Sequence, residues 1–352
     1  MARLLQALRH DDGILWALDQ TLLPWQERWL KLRDAQGVAD ALKRLSIRGA
    51  PLIGVASGYG VALELACDHS PGALQRAHDT LIAARPTAVN LAYAVKRVAD
   101  AAAAHQPGPE RAVAALDEAR AIERQEIVAS AAIAIHGADL LSELRVRRVL
   151  THCNAGALAA PGRGTALAPI AELHDRGELE LVLAAETRPL LQGARLTAYE
   201  LGRLGIEHAV IVDGAAAGLI ARGEVDAVLV GCDRVAANGD IANKVGTYGH
   251  ALAASAARIP FVVAGPCSTI DPETSSGTEI VIEHRDPWEV ATVPSELSGA
   301  RFRIAPDGAR CLNPAFDVTP AELITALVTE RGVARPVDHD RIAGLLNAGG
   351  LR

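Results

Sequence analysis

The second half of the chain alternates between short, wholly apolar runs and segments whose apolar residues recur at helical spacing. Apolar runs of this kind are typical of strands that are buried on both faces of a parallel sheet. Their alternation with helices predicts a doubly wound, Rossmann-like domain. The predicted strands are Val146–Thr151, Leu179–Ala184, His208–Val212, Ala227–Val230 and Phe261–Ala264, and the predicted helices are Thr165–Leu173, Thr197–Leu204, Ala215–Ala221 and Val245–Ala257.

The first part of the chain follows a different pattern. Two apolar segments, Leu4–Leu8 and Ile14–Leu18, flank the turn sequence Asp11-Asp12-Gly13, which predicts a β-hairpin. Long stretches with helical spacing follow it. The predicted helices cover residues 36–45, Leu52–Ala66, a segment from the Arg85-Pro86 turn to about Ala104, and Glu110–His136 with an extension to Leu144.

These patterns predict an α/β protein of two domains, as the length of 352 residues also favours. Residues 1–144 would form a smaller, mostly helical N-terminal domain with a short antiparallel β element. Residues 145–352 would form a Rossmann-like catalytic domain with a doubly wound parallel sheet.

Polar and reactive side chains follow each predicted strand of the second domain. In an open α/β sheet, ligands bind outside the carboxyl ends of the strands. This position therefore predicts the site, with the polar segment Gly231–Asn243, predicted as a loop, at its centre. The groups are His152-Cys153-Asn154 after the first strand, Glu186-Thr187-Arg188 and Gln192 after the second, Asp213 after the third, Asp233-Arg234 after the fourth, and Ser268 and Asp271 after the fifth.

Two of these residues are candidates for chemistry. Cys153 precedes a small-residue turn into a predicted helix, and a thiol near a helix N-terminus can have a lowered pKa. The alternative is a buried structural cysteine. Asp233 lies at a strand end, where partial dehydration raises the pKa of a carboxyl and suits it to general acid catalysis. The alternative is an ion pair with Arg234.

Two predicted helices in the first domain begin just after an arginine. Arg48-Gly49-Ala50-Pro51 precedes one of them, and Arg85-Pro86 precedes another. Free N–H groups at a helix start bind anions, and an adjacent guanidinium adds charge and a bidentate fork. The pair of arginines predicts a phosphate site, the alternative being surface arginines at ordinary helix ends.

Composition excludes several classes. The formal net charge of −7 argues against a nucleic-acid surface, which needs a basic face. The five cysteines form no CxxC pair, so neither a zinc site nor a disulfide framework is expected. We find no signal peptide and no apolar run of membrane-spanning length, and we expect a cytoplasmic protein without membrane partners.

One motif imitates a nicotinamide-dinucleotide site. Gly162-Arg163-Gly164 follows the first predicted strand, and Glu186 follows the second. The GxGxxG pattern is incomplete, however, and Asn154-Ala155-Gly156 separates it from the strand. A dehydrogenase is therefore disfavoured.

Over nearly its whole length the chain resembles the methylthioribose-1-phosphate isomerase family of methionine salvage. The resemblance rests on long motifs that occur in the same order. They are Arg48-Gly49-Ala50-Pro51, Arg85-Pro86-Thr87-Ala88-Val89-Asn90, Cys153-Asn154-Ala155-Gly156, Glu186-Thr187-Arg188-Pro189, residues 233–240, Asn243-Lys244, residues 268–271 and residues 313–320.

The resemblance implies roles for individual residues. Asp233 would be the proton donor and Cys153 the catalytic cysteine. The implied substrate contacts come from both domains and are Arg48, Gly49, Ala50, Arg85, Gln192, Asn243 and Lys244. The resemblance further implies a sugar phosphate substrate, a homodimer, and no metal or organic cofactor.

Relatives with the same fold leave alternatives open. Some isomerise 5-deoxyribose 1-phosphate or ribose 1,5-bisphosphate, and the regulatory subunits of the eukaryotic initiation-factor exchange complex are not isomerases. The presence of both Cys153 and Asp233 favours an enzyme. Cys232 and Cys267 depart from the usual pattern, and nothing in the sequence indicates their role.

Overall fold

The computed structural model describes residues 5–295 and 300–348. Leu4, where the first predicted strand begins, lies outside the described residues. The chain forms two compact units. The smaller comprises residues 5–129 together with Ala157–Gly162, and the larger comprises Ser130–Gly156 and the described residues from Arg163 onward.

The smaller unit contains a three-stranded antiparallel sheet formed by β1 (Leu8–Asp11), β2 (Ile14–Leu18) and β3 (Trp29–Leu32). Asp11 pairs with Ile14 across a two-residue turn whose residues both have positive φ, the geometry that matches strand twist. The predicted hairpin is therefore present, although its first strand begins at Leu8, and β3 was not predicted.

The helices of this part of the chain follow the predicted order, with one addition. Four of the five observed helices correspond to predicted segments. The fifth, α3, was missed because its apolar face is narrow. The five are α1 (Ala35–Lys43), α2 (Ala50–Cys67), α3 (Ala73–Ile82), α4 (Val89–Ala103) and α5 (Pro109–Glu143). The predicted boundary at residues 144 and 145 differs from the division between the units, which falls within α5.

Helix α2 is apolar on all sides and forms the core of the smaller unit. Among the described residues it alone is as long and as apolar as a membrane span, but 78% of it is buried in the structure, as in the core helix of a folded unit. A Cβ on Gly54 would lie 2.8 Å from the Asn90 carbonyl oxygen, and one on Gly58 would lie 3.4 Å from Val98. Helices α2 and α4 therefore pack in parallel, with their N-termini at the same end.

The larger unit is built on a seven-stranded sheet with the order β16-β15-β10-β7-β4-β5-β6. All its strand pairs are parallel except β15 with β16. The five predicted strands are confirmed within two residues at each end. The bounds are β4 (Arg148–His152), β5 (Leu181–Ala185), β6 (His208–Ile211), β7 (Ala227–Val230), β10 (Phe261–Ala264), β15 (Ala326–Thr329) and β16 (Gly332–Ala334).

Helices cover both faces of this sheet, as the apolar strands predict. In β7, Ala227 and Leu229 face a cluster formed with the end of α5 and two further helices, whereas Val228 and Val230 face the opposite cluster. Burial on both faces explains why polar and apolar residues do not alternate along these strands. The helices are α6 (Leu167–Asp175) and α7 (Ala198–Leu204) on the first face, and α8 (Ala216–Ala221), α9 (Thr247–Ala257) and α11 (His339–Asn347) on the second.

A second, four-stranded sheet occupies the region predicted as a polar loop. The interpretation of Gly231–Asn243 as a loop was wrong, because two strands, β8 (Arg234–Ala236) and β9 (Ile241–Lys244), form a hairpin there. They join β11 (Ile270–Asp271) and β14 (Phe316–Thr319) in the order β11-β8-β9-β14. The remaining elements are the short helix α10 (Trp288–Ala291) and the strand pair β12 (Thr292–Pro294) and β13 (Arg301–Arg303).

Candidate active site

The strand order reverses between β4 and β7. From β4 the chain adds β5 and β6 on one side and then returns to place β7 and β10 on the other. This reversal is the topological switch point, where doubly wound sheets bind their ligands. Cys153 directly follows β4, and Asp233 lies in the loop after β7.

The two loops at the switch point lie against each other. A Cβ on Gly231 would approach the Cβ of Ala155 to 2.9 Å. Gly231 and Ala155 are each two residues from Asp233 and Cys153, respectively. The sheet therefore brings the segments that carry the two predicted catalytic residues to one edge.

The backbone of Cys153 is held on both sides by buried threonines. Its N–H donates to Thr187 Oγ1 at 2.8 Å, and its carbonyl oxygen accepts from Thr197 Oγ1 at 2.6 Å. Both threonines are fully buried. The main chain at Cys153 has a φ of +61°, a left-handed conformation that a non-glycine residue keeps only when its surroundings enforce it.

The left-handed conformation also occurs at two residues of the loop after β5, Thr187 with a φ of +66° and Leu191 with a φ of +59°. Next comes a π-helical turn, Gly193–Thr197, a form that is frequent at functional sites. Gly193 is required there, because a Cβ would lie 1.7 Å from the carbonyl oxygen of Ala185. Constrained backbone of this kind is concentrated around Cys153 and is typical of functional sites, which makes this edge the candidate site.

The helix predicted at Thr165–Leu173 corresponds to α6, which begins at Leu167, and the chain reaches it from Cys153 through turns. The N–H of Leu167 donates to the carbonyl oxygen of Ala155, two residues after Cys153. Cys153 itself is a half-buried residue on a left-handed backbone.

Asp233 is half-buried at the entry to the β8–β9 hairpin. Its N–H donates to the carbonyl oxygen of Ala242 at 3.0 Å, which fixes the backbone that carries the carboxyl group. The neighbouring Arg234 forms an ion pair with Asp271 at 3.4 Å. Arg234 thus has a carboxylate partner on strand β11.

Gln192, a predicted substrate contact, lies at the start of the π-helical turn and is 5% exposed. Its side-chain oxygen has no hydrogen-bond partner within the described part of the chain. Buried polar atoms are almost always paired, so an orphaned acceptor here suits a donor from a ligand, such as a sugar hydroxyl.

Asn243 and Lys244 lie on strand β9, and the helix predicted at Val245–Ala257 follows as α9, which begins at Thr247. The Asn243 amide donates to Thr247 Oγ1 at 2.9 Å. Lys244 Nζ donates to the carbonyl oxygen of Ala315 at 2.8 Å and lies 4.7 Å from the centre of the Phe316 ring.

The motif at residues 313–320 supports these two residues. Within β14, Phe316 pairs with Lys244 and Asp317 with Asn243. Asp317 accepts the N–H groups of Gly246 and Tyr248, at 2.7 and 3.2 Å, and so caps the start of α9.

The other predicted substrate contacts lie together at one end of the smaller unit. Arg48 is half-buried, and its guanidinium lies 3.4 Å from the side-chain oxygen of the buried Gln20. Gly49, with a φ of +90°, and Ala50 begin α2. Arg85 lies in the turn before α4, so the parallel packing of α2 and α4 places both arginines at the same end.

The N-terminus of α2 has fewer free donors than the sequence suggested. Pro51 has no N–H, and the N–H of Leu52 donates to the carbonyl oxygen of Ala159 at 3.0 Å. A Cβ on Gly49 would come within 2.5 Å of Ala159. Anion binding at this end would therefore depend on the arginine side chains more than on the helix backbone.

Cys232 and Cys267 are both buried. Burial raises the pKa of each thiol to about 12. A protonated thiol is a poor nucleophile, which favours Cys153 as the reactive cysteine. Across residues 5–295 and 300–348, no three His, Cys, Asp or Glu side chains are arranged to hold a metal ion.

The Arg163 of the Gly162-Arg163-Gly164 segment forms ion pairs with Glu172, at 3.1 Å, and Asp175. Gly164 packs against the backbone of Gly156. This glycine segment therefore takes part in internal packing.

The sheet order defines a doubly wound α/β protein, and the constrained cysteine and the polar hairpin form the candidate ligand site at its switch point. The chain belongs to the initiation factor 2 subunit family, whose sequence profile matches residues 46–336.

Named relatives cover nearly the whole chain. It is 47% identical to a methylthioribose-1-phosphate isomerase of Syntrophotalea carbinolica, over 97% of this chain and 99% of that protein. It is 48% identical to a 5-deoxyribose 1-phosphate isomerase of Moorella thermoacetica, over 95% of each.

Solved structures of related proteins also match over nearly the whole chain. The 5-methylthioribose 1-phosphate isomerase from Pyrococcus horikoshii OT3 matches with a TM-score of 0.88 and 38% identity, over 99% of this chain and 97% of that chain. The translation initiation factor eIF-2B subunit delta from A. fulgidus matches with a TM-score of 0.82 and 37% identity, over 97% and 99%. These matches confirm the predicted family and fold class.

Proposed function

We propose that this chain is an aldose–ketose isomerase, an intramolecular oxidoreductase that converts 5-methylthioribose 1-phosphate into 5-methylthioribulose 1-phosphate in methionine salvage. The observation that carries the proposal is the convergence of the Cys153 and Asp233 segments on the switch point. Full-length similarity to proteins named for this reaction supports it.

The chemistry explains why an acid is needed. Phosphate blocks the anomeric oxygen of the sugar, so the ring opens only if the ring oxygen is protonated as its bond to C1 breaks. We assign this proton to Asp233, because a partly buried carboxyl retains its proton more readily than an exposed one.

The hydrogen on C2 must then move to C1, while the 2-hydroxyl loses its proton and becomes the ketone. In one route the Cys153 thiolate removes a proton from C2 and returns it to C1 through an enolate-like intermediate, while the Asp233 carboxylate accepts the proton of the 2-hydroxyl. In the other route hydride shifts directly from C2 to C1, and the Asp233 carboxylate accepts the proton of the 2-hydroxyl. Both routes balance, and both restore the protonation of Asp233 at the end of the cycle.

A reaction in deuterated water separates the routes. A proton carried by the Cys153 sulfur can exchange with solvent, so the enolate-like route introduces deuterium at C1 of the product. A direct hydride shift leaves C1 without solvent deuterium. NMR of the product gives the answer.

We assign substrate binding to the predicted set. The orphaned oxygen of Gln192 supports a hydrogen bond to a sugar hydroxyl. The positive charge of Lys244 beside the buried Asn243, and the charges of Arg48 and Arg85 in the smaller unit, support phosphate binding. Each charge-assisted hydrogen bond to phosphate contributes about 1.5–3 kcal/mol.

The substituent at C5 of the sugar distinguishes the main alternative. A relative of similar identity is named for 5-deoxyribose 1-phosphate. The test is a panel of pentose 1-phosphates that differ only at C5, with ketose formation as the readout. A kcat/KM highest for the methylthio sugar supports the proposal, and a preference for the deoxy sugar would replace it with the alternative.

The same panel tests a non-catalytic role. A regulatory subunit of the kind found in the wider family would bind a sugar phosphate or a nucleotide without forming ketose. Calorimetric binding without turnover for every sugar in the panel would favour that role.

We further propose a homodimer in the cytoplasm. The five cysteines, which all lie within the described residues, form no disulfide, and this suits a reducing compartment. Light scattering of the purified protein, with a mass near 36.8 kDa for a monomer and twice that for a dimer, tests the oligomeric state.

A further inference from the structure

A pair of buried histidines lies directly behind the candidate site. His152, the last residue of β4, and His250, on α9, are 1% and 5% exposed. Their rings meet edge to face with centroids 4.7 Å apart, and His152 Nδ1 lies 3.1 Å from His250 Nε2. The isomerisation described above uses neither ring.

The hydrogen bonds of the pair fix its tautomers. His152 Nε2 lies 2.8 Å from the carbonyl oxygen of Val245, and a carbonyl only accepts, so this nitrogen carries a proton. Nδ1 of a neutral His152 is then an acceptor. It follows that His250 Nε2 donates to it, and that both rings carry their proton on Nε2.

Burial keeps both rings neutral. It lowers the pKa of His152 to about 4, with a smaller contribution from the charge of Lys244. It lowers that of His250 to about 3, aided by His152. The acidic group that faces the pair is Asp213, whose carboxylate lies 4.0 Å from His152 Nδ1 and accepts the N–H groups of Thr187 and Arg188.

The pair connects the two sides of the candidate site. On one side, His152 precedes Cys153, and its Nδ1 lies 3.4 Å from the Thr187 hydroxyl that accepts the N–H of Cys153. On the other side, the Val245 carbonyl that it binds follows Lys244. A Cβ on Gly246 would lie 3.1 Å from the His152 ring, so the segment after Lys244 packs directly on the imidazole.

We propose that His152 and His250 act as a positioning pair that fixes the Cys153 backbone relative to the Asn243–Lys244 strand. His250 supplies the donor that holds the His152 ring in place, and His152 binds the segment beyond Lys244. The kinetic consequence rests on the proposed isomerase function, whereas the structural consequence does not.

The first test uses the wild-type protein labelled with ¹⁵N-histidine. Long-range ¹H–¹⁵N correlation spectra at neutral pH distinguish the two tautomers of each ring. We expect two neutral rings, both protonated on Nε2. A His152 ring that is protonated on Nδ1 or charged at pH 7 would overturn the proposal without the use of any variant.

The second test compares His250→Leu with His250→Gln, whose side-chain amide keeps a donor. We expect His250→Leu to lower kcat about tenfold or more, because small displacements of a reacting group are costly. We expect the Cys153 N–H to exchange with solvent deuterium about tenfold faster, because the His152 ring, no longer held by His250, can move against the Thr187 hydroxyl that accepts this N–H. His250→Gln should recover most of both losses.

Thermal unfolding of each variant, with the exposed His339→Gln as the matched control, separates positioning from a loss of fold. Wild-type kcat and exchange in His250→Leu would refute the pair's role, as would equal losses in both His250 variants. If the wild-type protein forms no ketose, the proposed function fails, and the exchange of the Cys153 N–H still decides this inference.

Discussion

The hydroxyl of Thr197 donates a 2.6 Å hydrogen bond to the carbonyl oxygen of Cys153. Thr197 ends the π-helical turn and also accepts the side-chain amide of Asn154 at 3.2 Å. The loop after β4 is therefore attached to the loop after β5. This hydrogen bond, with that from the N–H of Cys153 to Thr187, supports the left-handed backbone at Cys153.

Replacing Thr197 with valine removes that hydroxyl and keeps the shape of the side chain. We expect a loss of about 0.5–1.5 kcal/mol in the free energy of unfolding, because the carbonyl oxygen of Cys153 loses this hydrogen bond. Turnover should also fall. Urea unfolding and kcat measure the two effects. Thr197→Ser retains the hydroxyl and serves as the control, so equal losses in both variants would argue against the hydrogen bond.

Asp233→Asn keeps the size and hydrogen bonding of the side chain but removes the acidic proton. We expect kcat to fall by at least about 10²-fold, the lower end of the contribution of a general acid, with little change in the dissociation constant of the substrate. Calorimetry and a turnover assay check the two expectations. The exposed Asp100→Asn is the control, and near-normal turnover in Asp233→Asn would remove this residue from the mechanism.

Cys153→Ser tests whether the thiol takes part in hydrogen transfer. A hydroxyl is a far weaker base than a thiolate, so we expect a loss in kcat of at least about 10²-fold if sulfur carries the proton. Cys67→Ser, at an exposed cysteine of the smaller unit, is the matched control. Wild-type turnover in Cys153→Ser would leave this residue a structural role only.

Arg48→Gln removes one of the charges that we assign to the phosphate. Since a charge-assisted hydrogen bond contributes about 1.5–3 kcal/mol, we expect KM to rise by roughly 10- to 100-fold, with a smaller change in kcat. The exposed Arg76→Gln, also in the smaller unit, should leave KM unchanged. A KM for Arg48→Gln equal to that of the control would contradict the assignment.

The buried histidines predict how stability depends on pH. Folding holds His152 and His250 neutral, with pKa values of about 4 and about 3, while in the unfolded chain each titrates near 6.5. Between these values the unfolded state binds more protons. The free energy of unfolding therefore falls as the pH drops from 6.5, by up to about 1.4 kcal/mol per pH unit for each histidine.

Between pH 6.5 and 5 most carboxyl groups do not change their protonation, so the change in the free energy of unfolding comes mainly from the histidines. Hydrogen bonds from the backbone and side chain of Ser70 lower the pKa of Asp68 from 3.8, so its contribution is lost only below about pH 4. Burial raises the pKa of Asp317, which acts in the opposite direction. Urea unfolding of the wild type and of His250→Gln should give a shallower slope for the variant, and identical slopes would show that His250 is not held neutral.

The strands of the large sheet could be predicted from the sequence because burial on both faces leaves only apolar residues. Val228 and Val230 face one helical layer and Leu229 the other, so the run carries no polar interruption. The positions of Cys153 and Asp233 then followed from the rule for strand ends. The hairpin at residues 234–244 was missed because its short strands carry polar side chains, so they lack the continuous apolar run that identified the strands of the large sheet.

The support of Cys153 could not be predicted in this way. Thr187 and Thr197 are distant from it in sequence, and their hydrogen bonds depend on left-handed backbone and a π-helical turn that no periodicity indicates. His250 was also missed, since a histidine on an apolar helix gives no signal of the ring that it meets. The unit boundary was missed because α5 runs through it without interruption.

The segment Ala157–Gly162 has a consequence for how this protein can be divided. It supplies acceptors inside the smaller unit, from the Leu158 carbonyl to the Gln20 amide at 2.7 Å and from the Ala159 carbonyl to the N–H of Leu52. A fragment that ends at Ala129 lacks both acceptors, and a fragment that begins at Ser130 carries them without their donors. No single cleavage of the chain yields two complete halves, so deletion or domain-exchange experiments must transfer these six residues with the N-terminal part.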